Sequence, residues 1–150
     1  MKVGFAICGV VKAAENVRDK VRLVALLDTI KHVYRSGRIP KVASQIGAML
    51  HVKPILSITT ESDGLVHFDG IERSHANGMR RLIKMMKEEV GQNPIRAAVV
   101  HAYAAEEAVK LKDLIAAEFN CVEIWTTEFS PLMGYAIGTG AVGVAFYREN

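Results

Sequence analysis

The clearest rhythm of apolar and polar positions along this chain is helical. Met79, Leu82, Ile83, Met86 and Val90 share one face of residues 74–90, and Ser74 stands where a helix cap is favoured. Arg80, Arg81, Lys84 and Lys87 recur at the same spacing on the other side, which predicts a solvated face. A second amphipathic run, "AEEAVKLKDLIAAEF" (105–119), predicts another helix. It lies between "IRAAVVHAY" (95–103), read as a buried strand, and "CVEIWTTEF" (121–129), read as a further strand. Helix, strand, helix, strand from residue 74 onward calls for a sheet joined by helical crossovers.

The first half is patterned differently. "FAICGVVKAAENVRDK" (5–20) predicts a helix with an apolar start, and "VRLVALL" (21–27) a short strand buried on both faces. Asp28 or Thr29 then offers a cap for a helix running to about Tyr34, and Gly37 offers its left-handed stop. "ASQIGAML" (43–50) reads as a second short helix, separated from the first by Pro40. "KPILSITT" (53–60) and "LVHF" (65–68) predict a hairpin closed by the turn "ESDG". The tail, 133–147, reads as a glycine-rich turn running into a last strand. The expected fold class is α/β, a mixed sheet with helical crossovers.

Composition narrows the class further. A chain of 150 residues, 50% hydrophobic and 23% charged, has the size of one domain with a real core and suggests neither disorder nor a membrane protein. The net charge of +3 is mild, and beyond the helix face above there is no basic stripe with interleaved aromatics, so nucleic acid is not an expected partner. Cys8 and Cys121 sit in apolar stretches outside any CxxC or Cys/His cluster. They are expected to be reduced, buried thiols, with no metal site and no cofactor. The opening "MKVGFAICGVV" is short for a leader, is interrupted by Lys12 and is followed by no A-x-A site. No later apolar run is long enough to span a bilayer, so the expected location is cytoplasmic.

Three stretches could carry chemistry. Gly138-x-Gly140-x-x-Gly143 fits the dinucleotide fingerprint by letters, but a strand follows it where a helix is required. The glycines could let backbone N–H groups approach an anion, or simply ease a bend; both readings stand. His32, His51, His67, His75 and His101 are scattered, none at metal-ligand spacing and none paired with an obvious Ser or Cys nucleophile. His101, at the end of a buried strand, is read as hydrogen-bonded and structural in preference to catalytic. "YRSGRIPK" (34–41) groups two arginines and a lysine around one glycine. A turn explains the glycine, and an anion to hold would explain an arginine. The residues alone name no reaction.

Taken in order, these stretches resemble the C-terminal half of the DegV family of fatty-acid-binding proteins. "LLDTIKHVYRSGRIPKVASQIGAMLHVKPIL" (26–56) is similar to that family's run of aspartate, helix, glycine-glycine-arginine-isoleucine turn, short helix and Lys-Pro-Ile strand. The hairpin with "DG", the "IERSHANGMRRL" segment, the "VVHA" strand and the closing "GTGAVGVAFY" follow in the family's order. The resemblance implies residues 21–150 as a DegV-like C-terminal domain, with 1–20 as a connecting helix from a first domain that this chain lacks. It also implies a long-chain fatty acid as ligand, held by its carboxylate near the domain junction with its tail in an apolar tunnel. Some bacterial members present the acid to an ATP-dependent fatty-acid kinase, the carrier itself being no enzyme.

Carried over residue by residue, the implied lipid-binding set is Arg38 on the turn of Gly37, with Ile39, Met49, Lys53, Ala136, Gly138 and Gly140. An arginine fork is a sensible carboxylate partner, because it makes two charge-assisted hydrogen bonds at once. Arg35, one turn earlier, is expected to be merely exposed. The sequence departs from the family in two of these motifs. Ser36-Gly37 replaces a double glycine, and Ala136 stands where the family's His-Thr-Gly-Pro-Gly turn begins with a histidine. Loss of the first domain would leave an apolar surface around 37–50 and 133–141, so a homo-oligomer is expected. The rival readings are a protein-interaction or oligomerisation module without lipid, and a small hydrolase or transferase using His101.

Overall fold

The structure is a computed structural model that describes residues 7–36, 51–59 and 65–149. Its elements run α1 (Ile7–Arg18), β1 (Arg22–Leu26), α2 (Lys31–Arg35), β2 (Lys53–Thr59), β3 (Val66–Glu72), α3 (His75–Val90), β4 (Ile95–His101), α4 (Ala105–Glu118), β5 (Cys121–Glu128), α5 (Pro131–Ile137) and β6 (Val142–Arg148). The six strands form one sheet in the order β3-β2-β1-β6-β4-β5. Only β4 and β5, joined through α4, are parallel; the other four neighbouring pairs are antiparallel. The expected mixed α/β sheet with helical crossovers is therefore what forms.

Strand periodicity sorts the core into two layers. In β1, Val24 and Leu26 join α3 and α4 on one face, packing with Leu82, Met86, Leu111 and Ile115. Ala25 and the following Leu27 turn the other way and pack with Val33 of α2 and Ile137 of α5. Burial of Val24 through Leu27 agrees with the strand read as buried on both faces. Along α3, the apolar stripe from Met79 to Val90 is buried, Ser74 caps it by accepting from the Asn77 N–H, and Arg80, Arg81, Lys84 and Lys87 are exposed as expected.

Four local readings change. The stretch 133–147 does not begin as a turn: α5 occupies 131–137, capped by Ser130 and started by Pro131. β3 continues past Phe68 to Glu72 because a bulge absorbs Asp69. Gly70, at φ +116°, pairs with Ile55, while Phe68 pairs with Leu56. Asp28 does not cap α2; Thr29 Oγ1 accepts the Lys31 N–H at 3.3 Å, and Ile30 is the cap position. Cys8 is exposed, contrary to the buried thiol expected, because α1 buries none of its residues; Cys121 is partly buried, and that burial raises its pKa. The helix at 43–50, the Gly37 stop and the "ESDG" turn lie outside the described residues.

Candidate functional site

Two open cavities lie side by side in the layer made by α2 and α5. The first, about 430 Å3, has a floor of sheet side chains from β1, β2 and β3, chiefly Leu23, Ala25, Leu56, Ile58 and Val66. Val33 of α2 and Leu132, Met133, Ala136 and Ile137 of α5 form its roof. Those four α5 positions make one stripe of a helix, so the apolar side of α5 is the cavity wall. The second cavity, about 480 Å3, is lined by His32 and Arg35 of α2, by Gly134 and Gly138 from the other side of α5, and by His101, Glu128, Ser130 and Thr139. Ser36, Phe129 and Tyr135 line both. An apolar cavity and a more polar one thus lie side by side with a shared wall.

The glycine turn after α5 is built for close approach. Gly138, at φ +85°, ends the helix, and a Cβ there would come within 2.4 Å of His32 Cδ2. Gly140, also at φ +85°, lies so close to Asp28 that a Cβ would stand 2.9 Å from the Asp28 Cβ. Both amides are engaged inside the fold. Gly138 N–H donates to Gly134 O at 2.9 Å, and Gly140 N–H donates to Ala102 O at 2.8 Å. Of the two readings of this turn, the bend with close packing holds, and these two amides are not free donors for an anion.

Beside the turn, the Lys53 ammonium is hydrogen-bonded to the Asp28 carboxylate and lies 3.3 Å from the Asp28 carbonyl oxygen, while His75 Nε2 sits 3.2 Å from Asp28 Oδ1. The Lys53 hydrogen bond holds the Asp28 carboxyl below its ordinary 3.8, against an opposing push from partial burial. The folded-state value is the lower one, so the stabilisation is intact above pH 3.8 and is lost as the pH falls through the folded-state value. Asp28→Asn should therefore melt below wild type at neutral pH, and the gap should close in acid. Equal melting temperatures at neutral pH would mean that the pair contributes no net stability.

The four members of the implied lipid-binding set that fall among the described residues do not line one cavity. Ala136 lines the apolar cavity and Gly138 the polar one. Among the described residues Lys53 and Gly140 line neither; they tie β2 and the glycine turn to Asp28. Gly37, Arg38, Ile39 and Met49 lie outside the described residues. Arg35 is exposed, as expected, yet also lines the polar cavity, which sequence reading missed. His32 was likewise passed over; its spacing of three from Arg35 was the available signal. His101 is buried, and its Nδ1 accepts the Ala104 N–H at 3.4 Å, where α4 has no side-chain cap of its own. That is a structural task.

A family model described as "Uncharacterised protein, DegV family" matches residues 2–149. The chain belongs to the DegV family. It is 31% identical to the protein DegV of Bacillus subtilis over 138 residues, which is 91% of this chain and 48% of that one. A crystal structure of DegV, a fatty acid binding protein from Bacillus subtilis, superposes with a TM-score of 0.73 at 27% identity, covering 96% of this chain and 50% of that one. A DegV family protein from Corynebacterium glutamicum has the same fold, with a TM-score of 0.83 at 19% identity over 98% of this chain and 55% of that one. The chain spans about half the length of the curated relatives it matches. Among the described residues no helix is long and apolar enough to cross a membrane, and no group of His, Cys, Asp or Glu is placed to hold a metal ion.

Proposed function

We propose that this chain binds a long-chain fatty acid as part of a cytoplasmic carrier. The observation that carries the reading is an apolar cavity lying next to a more polar one, with Ser36, Phe129 and Tyr135 lining both. A long acyl chain with an anionic end needs both environments within one molecule's length, since burying the charge in the apolar chamber would be costly. The 27% identical relative from Bacillus subtilis, a fatty acid binding protein, supports the same ligand class. Arg38, on the Gly37 turn, is assigned the carboxylate, with Ile39 and Met49 along the tail. Residues 1–20 connect to a first domain that completes the tunnel. The chain makes and breaks no bond; a fatty-acid kinase is the partner that would act on the acid.

Exposed apolar side chains ring the site, including Leu132 and Tyr135 on α5, and Ile7, Val10 and Val11 lie bare on α1. Such surfaces are usually covered, so a homodimer follows from the same reading. Native mass spectrometry of the chain purified from cells tests both points. The expected species is a dimer with a fatty-acid adduct that delipidation removes and oleic acid restores. Spectra with no adduct even after added oleic acid would overturn the lipid reading, and a monomer at micromolar concentration would overturn the assembly.

A further inference from the structure

We propose that β5, one edge of the sheet, pairs with β5 of a second copy of this chain, antiparallel about a twofold axis at Trp125. The inference rests on the homodimer reading above and names the surface that makes the dimer. β5 ends the strand order, so one side of it meets no strand among the described residues. The Phe129 N–H donates to the His101 carbonyl at 2.9 Å, and backbone groups alternate sides along a strand. Ile124, Thr126 and Glu128 therefore turn their N–H and C=O groups outward, away from β4. Such a row of donors and acceptors is a template for another strand.

The two edges of the sheet are not alike. β3, the other edge, is guarded by its bulge at Asp69 and by the polar side chains of His67 and Glu72. In β5 the register slips only near the start, at Val122, and then runs unbroken from Glu123 to Glu128. This edge also bares apolar surface, with Val122 50% and Trp125 44% exposed. A second copy fits it by charge. With the axis at Trp125, Glu123 stands opposite Thr127, Ile124 opposite Thr126 and Glu128 opposite Val122, so no two carboxylates face each other. The two indoles meet on the axis in a non-hydrogen-bonded pair, where side chains approach closest. The same axis brings the two α4 helices, each packed over its own β5, towards each other, and α4 carries exposed Val109 and Leu114. β5 ends at Glu128 on the wall of the polar cavity, so this edge continues the bare rim from which the homodimer reading starts.

Trp125 is the chain's one tryptophan, so its emission reports on this seam directly. The test follows the whole chain through a dilution series by sedimentation and tryptophan emission, beside Thr126→Pro and Trp125→Glu, which are followed by sedimentation. Proline removes the outward Thr126 N–H and leaves the ladder to β4 intact. Trp125→Glu sets like charges face to face on the axis, next to both copies of Glu123. The expected wild type is a dimer whose emission moves to longer wavelength as dilution dissociates it. Both variants should keep the wild-type circular dichroism and raise the dimer Kd by at least about tenfold. Should Thr126→Pro fail to fold, Trp125→Glu at its exposed position decides alone. A dimer that the folded variants retain overturns the edge pairing and leaves the homodimer reading standing on another surface. So does a wild-type dimer that dissociates with no change in emission. Wild-type chain that stays monomeric at every concentration overturns both.

Discussion

Gly143→Val should be among the most damaging single substitutions in this chain, costing about 3 kcal/mol of stability, the upper part of the range for overpacking. Gly143 lies in β6 opposite Ala25 of β1 on one side and Val100 of β4 on the other, in the middle of the sheet. A Cβ there would stand 2.7 Å from the Val24 carbonyl oxygen, 2.9 Å from the Ala25 Cβ and 3.1 Å from the Ala25 Cα. Two of those atoms belong to the backbone of a paired central strand, which cannot move without breaking its ladder. For a domain of this size the loss corresponds to a fall of roughly 6–12 °C in Tm. Gly134→Ala is the control, because a Cβ on that helical residue meets nothing within 4 Å and should be neutral or gain a few tenths to about 1 kcal/mol. A Gly143→Val protein with a wild-type denaturation curve would show that β6 does not sit against β1 as described.

Ala136→Trp should abolish most acyl-chain binding while leaving the fold intact. Ala136 is half-buried on α5, and its side chain faces the apolar cavity between the stripe residues Met133 and Ile137. An indole at that position fills space that an acyl tail would occupy, and it does so without entering the close-packed layer under α3 and α4. Affinity for oleic acid should fall by more than about tenfold, equivalent to 1.4 kcal/mol or more, with Tm within a few degrees of wild type. Retained affinity would mean that the tail runs elsewhere. The same geometry gives a different meaning to the histidine missing at this position. Ala136 faces the apolar cavity, so a side-chain donor placed there would meet the tail sooner than the head.

Filling the apolar chamber should weaken oleic acid and oleyl alcohol alike, because both carry the same tail. The Ala136 substitution does not touch the Asp28–Lys53–His75 cluster, which holds the segment after β1 to the start of β2 and α3 and answers to pH instead.

Periodicity alone determined most of the frame. The stripe of Met79, Leu82, Ile83, Met86 and Val90, the strand at 95–101 and the amphipathic helix after it are local patterns, and they formed as read because each repeats its period long enough to outweigh chance. α5 was equally legible, with Ser130 at the cap, Pro131 at the first position and Gly138 at the end. Its two internal and terminal glycines were instead read as a turn. The order of motifs also carried the family. What sequence could not determine is which residues of α2 and α5 meet, because that depends on β6 inserting between β1 and β4. The insertion brings Gly138 onto His32 and Gly140 onto Asp28, across more than a hundred residues of chain. Such contacts leave no periodic trace: a glycine looks the same in sequence whether its missing Cβ serves a bend, an anion or a neighbour's ring. Only the packed layer decided that it was the ring.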